Sequence, residues 1–181
     1  MTLEEISAAI IAFVRDNRAW AAPVVGLLAF GESLAFISLV LPFWAMLVTL
    51  GTVLQASGLD FTAILIAAAI GAALGDWVSY WIGHRYNTQI AKVWPLSRYP
   101  DLLPRGHAFF EKWGVWAIVL GRFSGPLRAS VPLVAGIVEM PRLTFQIANW
   151  ASAFLWAAVL LLFGDVITRA IGWTWKALGW S

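Results

Sequence analysis

The sequence predicts an all-α integral membrane protein of two halves, each placing an interrupted apolar segment before a long helix. Three observations predict it. The 181 residues are 61% hydrophobic and only 12% charged, whereas soluble domains carry about 25% charged residues. Apolar stretches of the roughly 20 residues that cross a bilayer recur along the chain. Two of them are broken by Gly and Pro at matching places. The 12 Trp and 11 Phe fit the same class, because Trp favours the headgroup level.

Net charge is only +2, with no dense Lys/Arg stripe, so nucleic acid is not an expected partner. The chain has no cysteine, which excludes disulfide and thiolate chemistry. Glu4 and Glu5 stand where a secretory signal would carry basic residues, so no such signal is expected.

Residues 2–18 read as a short amphipathic helix. Thr2 and Glu5 match a capping box, and Leu3, Ile6, Ile10, Phe13 and Val14 share one face. This helix either lies in the membrane interface or packs on the protein's own surface. Residues 19–83 form the first half, apolar except for Glu32, Asp60 and Asp76. Within it, Pro42, Gly51 and Gly58 interrupt residues 33–59. Both a single crossing and a re-entrant hairpin buried in protein satisfy that stretch. Residues 61–83 are a better continuous helix. Ala67, Gly71, Gly75, Ser79 and Gly83 recur every four residues and mark a face that another helix approaches closely.

Residues 84–112 form the main polar loop, with Arg85, Lys92, Arg98, Arg105 and Lys112 set against Asp101 and Glu111. Pro95, Pro100 and Pro104 break any long helix there, and the positive bias places the loop in the cytoplasm. Residues 113–164 form the second half. It opens with an apolar stretch containing Arg122 and Arg128 among Gly121, Gly125, Pro126, Pro132 and Gly136. Residues 143–164 follow without a charge and form the clearest spanning helix. The tail, 165–181, carries Arg169, Lys176, Trp173, Trp175 and Trp180 as interfacial anchors. The halves share a spacing: Glu32 lies ten residues before Pro42, and Arg122 ten before Pro132. Interrupted segments at corresponding places point to a transporter built from inverted repeats.

Glu32, Asp76, Arg122 and Arg128 are the residues hardest to place. Each costs roughly 2.5 to 3.5 kcal/mol at the centre of a membrane helix, so the set costs on the order of 10 kcal/mol unless compensated. They must pair, meet water or sit nearer the interface. Arg presents a planar fork of donors suited to phosphate, so Arg122 and Arg128 are the candidate substrate-binding residues. Backbone N–H groups at a half-helix start would add to such a pocket. Carboxylates exchange protons, so Glu32 and Asp76 are the candidate proton-coupling pair. The competing reading is structural: four charges that neutralise one another and hold two halves together. His84 and His107 fall in or beside the polar loop, and solvated side chains are the better reading for both.

At these residues the sequence resembles the DedA family of membrane proteins, also called SNARE-associated or VTT-domain proteins. Three stretches carry the resemblance, together covering roughly residues 25 to 160. They are Gly31-Glu32-Ser33 continuing to Leu41-Pro42; Gly75-Asp76 with Tyr80, Gly83 and Arg85; and Gly121-Arg122-Phe123-Ser124-Gly125-Pro126-Leu127-Arg128, followed by Pro132, Ala135-Gly136, Met140, Phe145, Asn149 and Trp156. The family's membrane-embedded set is a Glu, an acid just after Leu-Pro, and two Arg. Glu32, Arg122 and Arg128 match it, but Phe43-Trp44 stands where the second acid is expected, leaving Asp76 as the candidate replacement.

The resemblance implies two inverted units, each a re-entrant hairpin plus a transmembrane helix, in a bacterial inner (plasma) membrane. It also implies lipid transport, as a flippase or scramblase of a phosphate-bearing lipid such as undecaprenyl phosphate, with proton coupling put in question by Phe43-Trp44. The expected partners are membrane lipids, above all an anionic lipid phosphate, and protons; a homo-oligomer is allowed, and no cofactor or metal is expected. Competing functions are a proton-coupled small-ion or solute transporter and a non-transporting scaffold. An enzyme such as a lipid phosphatase is not expected, because neither histidine sits in a catalytic pattern and no HExxH or GxSxG occurs.

Overall fold

The computed structural model describes residues 16–35, 61–90, 101–124, 128 and 130–177, with Glu5, Ala9, Ala12 and Phe13 ahead of them; side chains of the last helix are described only as far as Val159. The readings on Thr2, Leu3, Ile6, Ile10 and Val14, on Leu41 to Asp60, on Pro95 and Pro100, on Gly125-Pro126, and on the Trp, Arg and Lys side chains of the tail lie outside these residues.

Glu5, Ala9, Ala12, Phe13 and Asp16 have helical backbone, and Asn17 closes that stretch on the Phe13 carbonyl, its backbone N–H donating at 2.8 Å and its side-chain Nδ2 at 3.0 Å. After a turn over Arg18–Trp20 comes α1, Ala21–Ser33. Pro23 sits in its first turn, where a missing N–H costs nothing. With 13 residues α1 is about 20 Å long, too short for a hydrocarbon core of about 30 Å.

Helix α2, Phe61–Ile90, has 30 residues, about 45 Å. Its stretch Thr62–Tyr86 is long and apolar enough to cross a membrane. The sequence places a helix end at Gly83, where polarity begins. The helix continues to Ile90 because residues 84–90 contain neither Gly nor Pro, and a change of polarity alone does not break backbone hydrogen bonds.

Part of the stretch read as a polar loop is also helical. Helix α3, Leu102–Trp113, holds Pro104 in its first turn, which tolerates it. Phe109 and Phe110 pack inward, while Arg105, His107, Glu111 and Lys112 are exposed. Gly114, at φ +52°, turns the chain into α4, Trp116–Arg122.

Helix α5, Ser130–Ile137, follows, and α6, Arg142–Ala177, closes the described chain. Helix α6 carries on past residue 164, through Asp165 and Arg169, for 36 residues in all, or about 54 Å. Between α5 and α6 the Met140 amide donates to the Ala135 carbonyl and the Glu139 amide to that of Gly136, a Schellman closure. Glu139 holds its left-handed position at φ +56°.

The stripe of small residues packs as the sequence reads it. Along α2 it meets α1 first and α5 last. A Cβ at Gly71 would run into the Gly26 carbonyl, and one at Gly83 into that of Leu133. Ala67 faces Gly26, Gly75 faces Phe30 and Ser33, and Ser79 bonds the backbone at Ser33 and Ala35. Positions on α1 and α2 thus rise together, so the two helices run parallel.

The same reasoning makes α2 and α6 antiparallel: Phe145 stacks on Tyr80, Asn149 reaches Ala73, and Ala153, Trp156 and Ala157 join the cluster of Ile64, Ala68 and Ala69. Helices α4 and α6 run parallel, since Ala117 and Ile118 pack with Phe145 and Ala148, and Arg122 meets Asn149 and Ser152.

Polarity is inverted relative to a soluble protein. Ile66, Ile70, Trp77 and Trp81 of α2 and Leu143, Ile147, Trp150 and Phe154 of α6 project outward at helical spacing. Glu32, Ser33, Asp76, Ser79, Arg122, Asn149 and Ser152 are buried.

Gly71→Ala should therefore lower the thermal midpoint in detergent by several degrees, since overpacking against backbone costs about 1 to 3 kcal/mol. Leu27→Ala, at a side chain 71% exposed, should leave it unchanged. Equal midpoints for the two variants would contradict the α1–α2 contact.

Candidate functional site

Four helices and the residue Arg128 bring the polar interior together. Glu32 and Ser33 come from the end of α1, where the Leu34 amide closes the last turn onto the Gly31 carbonyl. Asp76 lies in the middle of α2. Arg122 ends α4, because Phe123 and Ser124 turn the chain and Gly125-Pro126 follows in sequence. Arg128 stands outside any helix, between α4 and α5. Asn149, Ser152 and Trp156 project from one face of α6.

All four charges identified in the sequence meet here, as two ion pairs. Arg122 pairs with Asp76 through its Nη2. The same nitrogen donates to Asn149 Oδ1 at 2.6 Å, and Nε donates to Ser152 Oγ at 3.0 Å. Asn149 is fixed in turn by donating its Nδ2 to the Ala73 carbonyl at 2.9 Å. Arg122 therefore ties α4 to both α2 and α6.

Arg128 pairs with Glu32, its Nη1 standing 2.6 Å from Oε1. Its Nη2 donates to Ser33 Oγ at 3.0 Å, and its guanidinium carbon lies 4.4 Å from the centre of the Trp156 ring. Ser33 lies against Gly75, next to Asp76, so the two pairs are neighbours. Glu32 Oε2 and Arg122 Nη1 are buried and find no hydrogen-bond partner among the described residues.

Among the described residues the cluster holds two acids and two bases, a neutral set when all are ionised. The two arginines do not stand open side by side: each already meets a carboxylate. Arg122 is the more enclosed, its side chain 3% exposed against 11% for Arg128.

Residues 41–166 match the VTT domain. The chain belongs to the VTT-domain family, the DedA proteins. It is 31% identical over 159 residues to the inner membrane protein YabI of Escherichia coli, covering 88% of this chain and 62% of that protein. It is 33% identical over 159 residues to the membrane protein BU139 of Buchnera aphidicola, with the same coverage. It is 31% identical over 134 residues to the inner membrane protein YqjA of E. coli, covering 71% of this chain and 59% of that protein. The chain thus spans about three fifths of the length of these relatives. No solved structure matches it. It is a bacterial inner-membrane protein.

In this VTT-domain protein Asn149 and Trp156 stand in the sequence motif without a role, and Ser152 is the α6 partner that the sequence reading does not name. Asn149, Ser152 and Trp156 fall at spacings of three and four in a stretch otherwise rich in Ala and Leu. A polar stripe on a spanning helix was the available signal, and it marks a face turned to protein. His84 stacks on Tyr80 about two turns beyond Asp76, and His107 is exposed on α3.

Breaking a buried pair by removing one partner costs about 3 to 5 kcal/mol, while replacing both with apolar groups is often neutral. Asp76→Leu and Arg122→Leu alone should each sharply lower the thermal midpoint in detergent. The double variant should melt above either single variant. Additive losses in that cycle would contradict the pairing.

Proposed function

We propose that this chain moves a phosphate-bearing lipid, such as a polyprenyl phosphate, across the inner membrane. The observation that carries the reading is the buried cluster of two acids and two arginines among the described residues, in which Arg128 is the less enclosed arginine. A lipid phosphate needs cationic donors inside the bilayer, and its tail stays in the hydrocarbon. A guanidinium offers two in-plane edges to phosphate oxygens. Those edges of Arg128 go to Glu32 and Ser33, so an arriving headgroup competes for them directly.

Charge balance supports proton coupling even without an acid at Phe43-Trp44. An anion added to a balanced set of two acids and two bases leaves one negative charge in excess, a costly state in low dielectric. One proton taken up by a carboxylate restores neutrality, and Glu32 is the group displaced. Asp76 is held by Arg122 on the wall of the chamber, which favours Glu32 as the exchanging acid.

Helix directions support two inverted units. Each short helix ending at a chamber charge runs parallel to the long helix of its own half, and the two long helices are antiparallel. This fits an alternating-access device with its site between repeats.

A non-transporting scaffold is favoured by the same internal neutrality. Charge reversal separates the two readings. Glu32→Arg combined with Arg128→Glu keeps an ion pair, so a scaffold should fold and function, while a transporter should fold and fail.

The direct test is translocation of a fluorescent polyprenyl phosphate or phospholipid in reconstituted vesicles. Wild type should exceed protein-free vesicles, and Arg128→Ala should lose at least about tenfold, since one charge-assisted hydrogen bond contributes about 1.5 to 3 kcal/mol. Transport by Arg128→Ala at the wild-type rate would remove that residue from the mechanism.

A further inference from the structure

We infer that Trp156 is the positioning residue that keeps Arg128 in the chamber while an anionic headgroup takes the place of Glu32. This rests on the lipid-transport reading above and assigns a role to a side chain outside the four charges.

The two arginines are held differently. Arg122 bonds Asp76, Asn149 and Ser152 on two long helices and is almost fully enclosed. Exchange at Arg122 would break the joint between α2, α4 and α6. Arg128 lies outside any helix and, among the described residues, meets one carboxylate oxygen, one hydroxyl and one aromatic ring.

Those contacts use different parts of the group. Glu32 and Ser33 take N–H donors, which lie in the guanidinium plane. Trp156 receives the cation over its ring face, and Trp is the strongest of the aromatic partners for this contact. A phosphate replacing Glu32 therefore competes for the edge and leaves the ring contact in place.

The position of Trp156 fits the role. It is 6% exposed, so the contact is shielded from water, where cation–ring attraction is strongest. It lies one turn beyond Ser152, which holds Arg122. One face of α6 thus fixes both guanidinium groups relative to each other. Without the ring, an Arg128 freed from Glu32 would keep, among the described residues, only its hydrogen bond to Ser33.

The test keeps the shape of the side chain and weakens only the ring face. Tryptophan with an increasing number of ring fluorines is placed at position 156 by suppression of a single stop codon, in wild type and in Glu32→Gln. Thermal midpoints in detergent should fall with fluorination, and more steeply in Glu32→Gln, where the ring carries more of the hold on Arg128. Midpoints that ignore fluorination in Glu32→Gln would overturn the proposal.

In vesicles, the lipid concentration for half-maximal transport should rise by about tenfold across the series, the effect of losing most of a desolvated cation–ring contact. A flat series with active wild type would overturn the role of Trp156 and leave lipid transport standing. Wild-type vesicles no faster than protein-free ones would overturn lipid transport instead, and the melting series then decides the role of Trp156.

Discussion

Asp76 stands at the middle of α2, which packs against α1, α5 and α6, and its carboxylate is buried away from solvent. Its charge must be met from within the protein, and Arg122 meets it. That requirement positions much else. It pulls the end of α4 against α2, brings the face of α6 with Asn149 and Ser152 around the guanidinium, and sets the depth at which Arg128 and Glu32 meet beside it. Burying such a pair gives little net stability, because desolvation offsets most of the attraction. What it supplies is register: other alignments of these helices would leave a bare charge in hydrocarbon.

The remaining architecture follows from two kinds of surface on the same helices. Large apolar side chains point outward, so little hydrophobic force acts between helices in lipid. Association then rests on close contact and on polar groups. The small-residue stripe supplies the contact along α2, allowing α1 and α5 to approach at backbone distance. The alanine-rich cluster between α1, α2 and α6 extends it. Helix α3, with aromatic residues inward and charges outward, packs on α5 rather than crossing, and Gly114 permits the change of direction into α4.

Much of this was legible in the sequence. The Gly, Ala and Ser spacing on α2 announced a packing face. The Gly and Pro content around Arg122 and Arg128 announced broken helices. Charges in apolar stretches announced a polar interior. Other features were not legible, for physical reasons. Which arginine meets which acid depends on helix direction in space, and counting charges cannot supply it. Helix ends at residues 83 and 164 were read from polarity, but a change of polarity does not stop backbone hydrogen bonding: residues 84–90 hold neither Gly nor Pro, and α6 continues through Gly164 and Gly172. Trp156 was visible as part of a motif, yet its place over Arg128 depends on the antiparallel alignment of α2 and α6.

The seam between α1 and α2 has a mechanical consequence. Carbonyl and glycine backbone touch there, and backbone cannot change rotamer to make room. One wall of the chamber, the one bearing Glu32, is therefore a fixed jamb. Arg128, itself outside any helix, meets Glu32 there. Room for an arriving group along this seam has to come from side chains, because the backbones of α1 and α2 already touch.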